Sequence, residues 1–157
     1  MIPESPVFVR LDIADATVAV EVLAVQRRAY QVEAELIGTD AIPPLREDVD
    51  GLRACGETFL GAFDRERLAG FASWKFDGDT LDIHRLAVEP EFFRRGIGVA
   101  LVRAVLTAEP DARRWIVQTG AANDPARMLY AREGFAEVGE RVVGGGVRVT
   151  LFERTVS

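Results

Sequence analysis

The sequence predicts an α+β fold: one mixed β-sheet of about seven strands flanked by about four helices. Three observations carry this. Residues 15–37 and 98–108 repeat apolar side chains at helical spacing. Three strand-like runs between residues 57 and 88 follow one another through short turns, which makes them antiparallel neighbours. A further strand-like run with helices on both sides, then a closing hairpin, complete the order β-α-α-β-β-β-α-β-α-β-β.

Taken in order, VFVRLDI (7–13) is the first strand. DATVAVEVLAVQRRAYQVEAELI (15–37) is a long helix ended by Gly38, and TDAIPP (39–44) is a loop. LREDVDGLRAC (45–55) is a short second helix, weakened by Gly51. ETFLGAFD (57–64) and RLAGFASWKF (67–76) form a hairpin, and the Asp77-Gly78-Asp79 turn leads into TLDIHRLAV (80–88). After the helix at 98–108 comes the strand RWIVQTG (114–120). Asp124 is expected to cap the next helix, with Pro125 at its first position and Gly134 at its end. FAEVGERVV (135–143), a Gly144–Gly146 turn and VRVTLFERTV (147–156) close the sheet.

The length of 157 residues, with no repeat or Gly/Ser linker, indicates one domain over residues 1–157. Hydrophobic residues make up 48% and charged residues 28%, enough for a real core in a water-facing protein. No apolar run is long enough for a membrane helix, and the N-terminus lacks the pattern of a secretory signal. The single cysteine, Cys55, excludes an internal disulfide and a cysteine-based zinc site, and suits the cytoplasm. One histidine without clustered ligands argues against any metal. The net charge of −6 argues against nucleic acid as a partner, so an anionic ligand needs a local binding feature.

VEPEFFRRGIG (88–98) supplies one. Gly96 and Gly98 stand at the mouth of a helix, where backbone N–H groups lack intrahelical partners and the helix dipole is positive. Arg94 and Arg95 add charge beside them. Together they form a phosphate or pyrophosphate site; the structural alternative is an ordinary turn with solvated arginines. Leu101 stands where a dinucleotide-binding fingerprint needs its third glycine, and the Gly-Lys-Ser/Thr ending of a P-loop is absent.

HRLAVEPEFFRRGIGVALV resembles the acyl-coenzyme A motif of the GNAT superfamily of N-acyltransferases, whose core reads R/Q-x-x-G-x-G/A after a strand ending L-x-V-x-P. Leu86, Val88, Pro90, Gly96 and Gly98 match. A second block, NDPARMLYAREGF (123–135), resembles the family's N-x-x-A-x-x-L-Y-x-x-x-G-F, through Asn123, Ala126, Leu129, Tyr130, Gly134 and Phe135. With the glycines aligned, Phe93 takes the usual Arg/Gln position, so a side chain that helps hold the pyrophosphate is replaced.

The resemblance implies acetyl-CoA as co-substrate, held by Leu86, Ala87, Val88, Arg94, Arg95, Gly96, Ile97, Gly98, Val99, Ala100, Asn123, Ala126 and Tyr130. It implies transfer of the acetyl group to a primary amine of a small molecule or peptide by direct attack. A main-chain N–H near Leu86–Val88 would polarise the thioester carbonyl. Tyr130 would protonate the departing thiolate; its structural alternative is a core aromatic beside Ala126 and Leu129. Strand alternation puts Asp82, His84 and Leu86 on one face. His84 can accept a proton near neutral pH, with Asp82 as base, orienting group or counter-ion; a hydrogen-bonded structural histidine is the alternative. Asn123 either meets the pantetheine arm or shapes the turn. For the acceptor, the resemblance points to the first two helices, the loop between them and the final hairpin. Among Tyr30, Glu33, Glu35 and Asp40, spacing puts Tyr30 and Glu33 on one helix face and Glu35 elsewhere, so Tyr30 and Glu33 are the expected pocket pair. Family members often form homodimers through the C-terminal strands. Two other readings stay open: transfer of a longer acyl chain, and an acyl-CoA sensor without turnover.

Overall fold

The computed structural model describes residues 6–37 and 47–156. Within them the chain forms β1 (Val7–Leu11), α1 (Ala16–Ile37), α2 (Val49–Arg53), β2 (Thr58–Asp64), β3 (Arg67–Asp77) and β4 (Thr80–Val88). There follow α3 (Ile97–Ala108), β5 (Arg114–Gly120), α4 (Asp124–Arg132), β6 (Ala136–Val143) and β7 (Val147–Thr155), with short 3₁₀ turns at Pro90–Phe92 and Gly144–Gly146. The element order is the one the sequence predicts. Gly38, the 39–44 loop with Asp40, and the start of the 45–55 helix lie outside the described residues.

Helix boundaries follow their caps. The Asp15 carboxylate accepts from the N–H groups of Thr17 (2.8 Å) and Val18 (3.4 Å) and starts α1. Asp48 accepts from Gly51 N–H at 2.8 Å, so α2 begins four residues later than expected and is a single short turn. For α4 the cap is Asn123 rather than Asp124: Asn123 Oδ1 accepts from Ala126 N–H at 3.3 Å. Asp124 is then the first helical residue, where its charge still suits the helix dipole.

The seven strands form one sheet in the order β1-β2-β3-β4-β5-β7-β6. Among the described residues only β4 and β5 are parallel neighbours. On one face, α1 and α2 bury Val22, Leu23, Leu52, Phe59 and Phe71; on the other, α3 and α4 bury Trp74, Leu81, Leu101, Val105 and Tyr130. Trp74, Phe59 and Phe71 are fully buried, and each such side chain stabilises by about 2–3 kcal/mol of transfer free energy.

Two irregularities at the centre of the sheet create the site. First, β4 pairs with β5 only from Thr80↔Arg114 to Ile83↔Val117, although both strands run on. Beyond Ile83 they part and open a cleft. Second, the β3–β4 register jumps from Ser73↔Arg85 to Trp74↔Ile83, which leaves His84 as the extra residue of a β-bulge. Alternation resets there. Leu81 and Ile83 belong to the α3-side core, and so do Leu86 and Val88 after the bulge, whereas Ala87 packs on the α1 side. The expectation that Leu86 shares a face with Asp82 and His84 is therefore corrected. A strict period of two breaks wherever one strand carries an extra residue.

Candidate functional site

Strand amides alternate in direction. Glu89 N–H donates to Ala69 O at 2.8 Å, on the β3 side. The N–H groups of Leu86 and Val88 therefore point the other way, into the cleft that β5 has left. These are the donors available to a thioester carbonyl.

A groove of about 520 Å³ runs from this cleft to the start of α3. Leu86, Ala87, Val88, Arg94, Gly96, Ile97, Gly98, Val99, Asn123 and Ala126 line it, in company with Phe93. Arg94 (φ 66°) and Gly96 (φ 80°) both take the left-handed conformation that turns the loop into the helix. No side chain caps α3, and Ala100 N–H bonds Gly96 O at 3.0 Å as the first intrahelical bond. Ile97, Gly98 and Val99 thus present the free helix-start N–H groups, while Ala100, also expected as a contact, has its N–H engaged. A Cβ at Gly98 would meet Leu129 at 3.5 Å and Val88 at 3.8 Å, ordinary contacts. The protein's own packing does not require glycine there, which fits a position kept bare for a phosphate. Phe93 is 42% exposed beside this helix start. Arg95 is not among the residues that line the groove; its guanidinium lies 5.3 Å from the centre of the Phe92 ring. The residues present therefore fit the diphosphate of coenzyme A through main chain, with Arg94 as the side-chain charge.

A second cavity of about 200 Å³ opens on the other side of the cleft. Tyr30, Glu33, His84, Leu86, Tyr130 and the hairpin residues Val143 and Val147 are among its walls. Five residues, Tyr30, Glu33, Leu86, Asn123 and Ala126, border both spaces and mark their junction. Tyr130 lines the cavity rather than the groove. It is 3% exposed, packed edge-on to Phe135 at 5.4 Å and tilted to Phe152 at 5.8 Å. Burial, and then the charge of Glu33, push its phenol above the usual range, so it keeps its proton.

Tyr30 is 7% exposed and its phenol is likewise raised by burial. Burial also raises the Glu33 carboxyl, partly offset by hydrogen bonds from the Asn123 side chain and the Gly120 main chain. Glu33 therefore ties α1 to the end of β5 and the start of α4. Asn123 does two jobs: its oxygen caps α4 and its amide meets Glu33. Glu35 is exposed.

His84 stands between two carboxylates. Its Nε2 is 3.3 Å from Asp82 Oδ2, and its Nδ1 is 3.7 Å from Glu57 Oε2. Glu57 escaped the sequence reading, because nothing local in Cys55-Gly56-Glu57 signals a partner on β4. It accepts from Ser73 Oγ at 2.6 Å and from Arg85 Nε at 2.8 Å. Burial works against its charge, but the Arg85 and Ser73 hydrogen bonds win and lower its pKa. Arg85 is 8% exposed and also bonds Glu47 and the Gln26 side-chain oxygen.

The acetyltransferase (GNAT) family matches residues 20–135. The chain is 39% identical over 138 residues to the UPF0157 protein YqkA of Bacillus subtilis, covering 88% of this chain but only 40% of that protein. It is 31% identical over 137 residues to the N-alpha-acetyltransferase RimI of Mycobacterium tuberculosis, covering 83% and 84% of the two chains. Among solved structures, the ribosomal-protein-S18-alanine N-acetyltransferase from Escherichia coli superposes with a TM-score of 0.77 at 18% identity, over 97% of this chain and 94% of that one. With its parted parallel strands, its bare helix start and these relatives, the chain belongs to the acetyltransferase (GNAT) family.

Proposed function

We propose that the protein moves the acetyl group of acetyl-CoA to a primary amine by direct attack, and that the amine belongs to a small molecule or a peptide. The observation that carries this reading is the meeting of the groove and the cavity at the parted strands, with His84 and Tyr130 on the cavity walls. Acetyl-CoA supplies the activated acyl group and the thiolate leaving group. The helix-start N–H groups of α3 hold its diphosphate. The N–H groups of Leu86 and Val88 polarise the carbonyl. His84, with Asp82 beside it, takes a proton from the amine as the C–N bond forms. Tyr130 gives its proton to sulfur as the C–S bond breaks. A proton passed through solvent from His84 to Tyr130 restores the site.

The amine preference rests on charge. Glu33 is the only carboxylate among the described residues lining the cavity, and the one guanidinium there, Arg85, is already paired. An ammonium group is therefore favoured over an acid. Tyr30 and Glu33 border the junction from α1, and Val143 and Val147 close the far side with apolar surface.

The test is thiol release from acetyl-CoA in the presence of a panel of amines, amino acids and short peptides. Release with a cationic primary amine supports the reading. Binding of acetyl-CoA without release with any acceptor would make the protein a sensor instead.

A further inference from the structure

Behind the cavity wall lies a buried polar cluster around Arg85. It joins α1 (Gln26), the segment before α2 (Glu47), the residue before β2 (Glu57) and β3 (Ser73) to Arg85, next to the bulge of β4. One guanidinium faces two carboxylates, so the cluster keeps a net negative charge. Glu57 carries that charge to the His84 ring, at 3.7 Å from Nδ1. The side chain of Glu57 is 6% exposed, while that of Asp82, on the other edge of the ring, is 46% exposed. The two carboxylates are thus not equivalent. Asp82, half exposed, is screened by water. Glu57 is fixed by three hydrogen bonds to Arg85 and Ser73.

We propose that Glu57 is a positioning residue for His84: locked by Arg85 and Ser73, it holds the bulged imidazole toward the cavity and stabilises its charged form once it has taken a proton. The arrangement extends the reading of His84 as proton acceptor and rests on it. The bulge makes the support necessary, since the extra residue of β4 has no opposite number on β3 to hold it. A fixed anion beside an imidazole raises its basicity and restricts its rotation. Other charged groups around the ring are Asp82, Lys75 opposite Asp82 on β3, and Glu33, which shares the cavity. None of them is hydrogen-bonded to the Arg85 cluster as Glu57 is.

His84 is the only histidine in the chain, so its ring proton resonances report its titration without assignment and without an acceptor. In Glu57→Gln the midpoint should fall. The acid limb of kcat for the best amine should move down in pH by the same amount, with KM for acetyl-CoA unchanged. If Glu57→Gln does not fold, Ser73→Ala, which leaves both Arg85 ion pairs whole, should shift the midpoint in the same direction by less. An unchanged His84 titration in whichever variant folds overturns the proposal. A wild-type pH profile in His84→Ala overturns instead the proton-acceptor reading beneath it, so the two failures are told apart.

Discussion

Glu33 shows how a single side chain can cost stability and still be retained. Its folded pKa lies above the ordinary carboxylate value because burial penalises the charge. The folded state therefore binds the proton more tightly than the unfolded chain. Its stabilising contribution is full below the ordinary value of about 4.3 and is lost as pH rises through the raised folded value. Glu33→Gln removes that penalty. Its Tm relative to wild type should rise between pH 4 and pH 8, as thermal denaturation followed by circular dichroism would show. The same variant should raise KM for the amine and leave KM for acetyl-CoA nearly unchanged, while Glu35→Gln, at an exposed position, should do neither. A Tm difference independent of pH would mean that Glu33 ionises as an exposed carboxylate does. Spacing alone was enough to place Tyr30 and Glu33 on one face of α1. Their burial was not legible, because it depends on β5 and α4 closing over them.

At the scale of elements, two glycines separate ligand binding from packing. A Cβ at Gly70 would sit 2.7 Å from Ala87 O, so Gly70→Ala must push β3 off β4. Overpacking of this kind costs about 1–3 kcal/mol, and Tm should fall by several degrees. A Cβ at Gly98, within α3, meets only ordinary contacts from Leu129 and Val88, and alanine favours the helix by up to about 1 kcal/mol. Gly98→Ala should therefore keep or raise Tm. Gly98→Asp, which adds negative charge at the same place, should abolish the thermal shift that acetyl-CoA gives the wild type. An undiminished shift in Gly98→Asp would move the diphosphate away from α3.

The order of elements was readable because hydrophobic period, turns and caps are local signals. The glycine loop and the Asn123–Phe135 block were readable as motifs. Three features were not. The cap of α4 sits one residue earlier than Asp124 suggested, since Asn and Asp are equally good caps and only geometry chooses. The bulge at His84 depends on the register with β3 and leaves no mark in TLDIHRLAV. The Arg85 cluster joins residues 26, 47, 57, 73 and 85, far apart in sequence and unrelated by any period.

On the scale of the whole molecule, that cluster ties the α1–α2 layer to the centre of the sheet, beside the opening between β4 and β5. Its carboxylate Glu57 titrates below the ordinary range even though burial opposes its charge. The stability it contributes is present above about pH 4.3 and is lost as pH falls through the lower folded value. Acid unfolding should therefore begin below that range, and Glu57→Gln should flatten the dependence there. An equally steep loss in the variant would assign acid sensitivity to other carboxylates.

The parted strands bring the groove and the cavity together, and Tyr130 stands on the cavity side of that junction. The most direct test of transfer at this point compares Tyr130→Phe with wild type, measuring acetyl transfer to the best amine and the acetyl-CoA thermal shift in parallel. Phenylalanine keeps the contacts with Phe135 and Phe152 and removes only the hydroxyl. The expected result is a fall in kcat of up to about a hundredfold with the thermal shift intact. Wild-type turnover in Tyr130→Phe would contradict the assignment of the leaving-group acid and the placing of the reaction at this cleft.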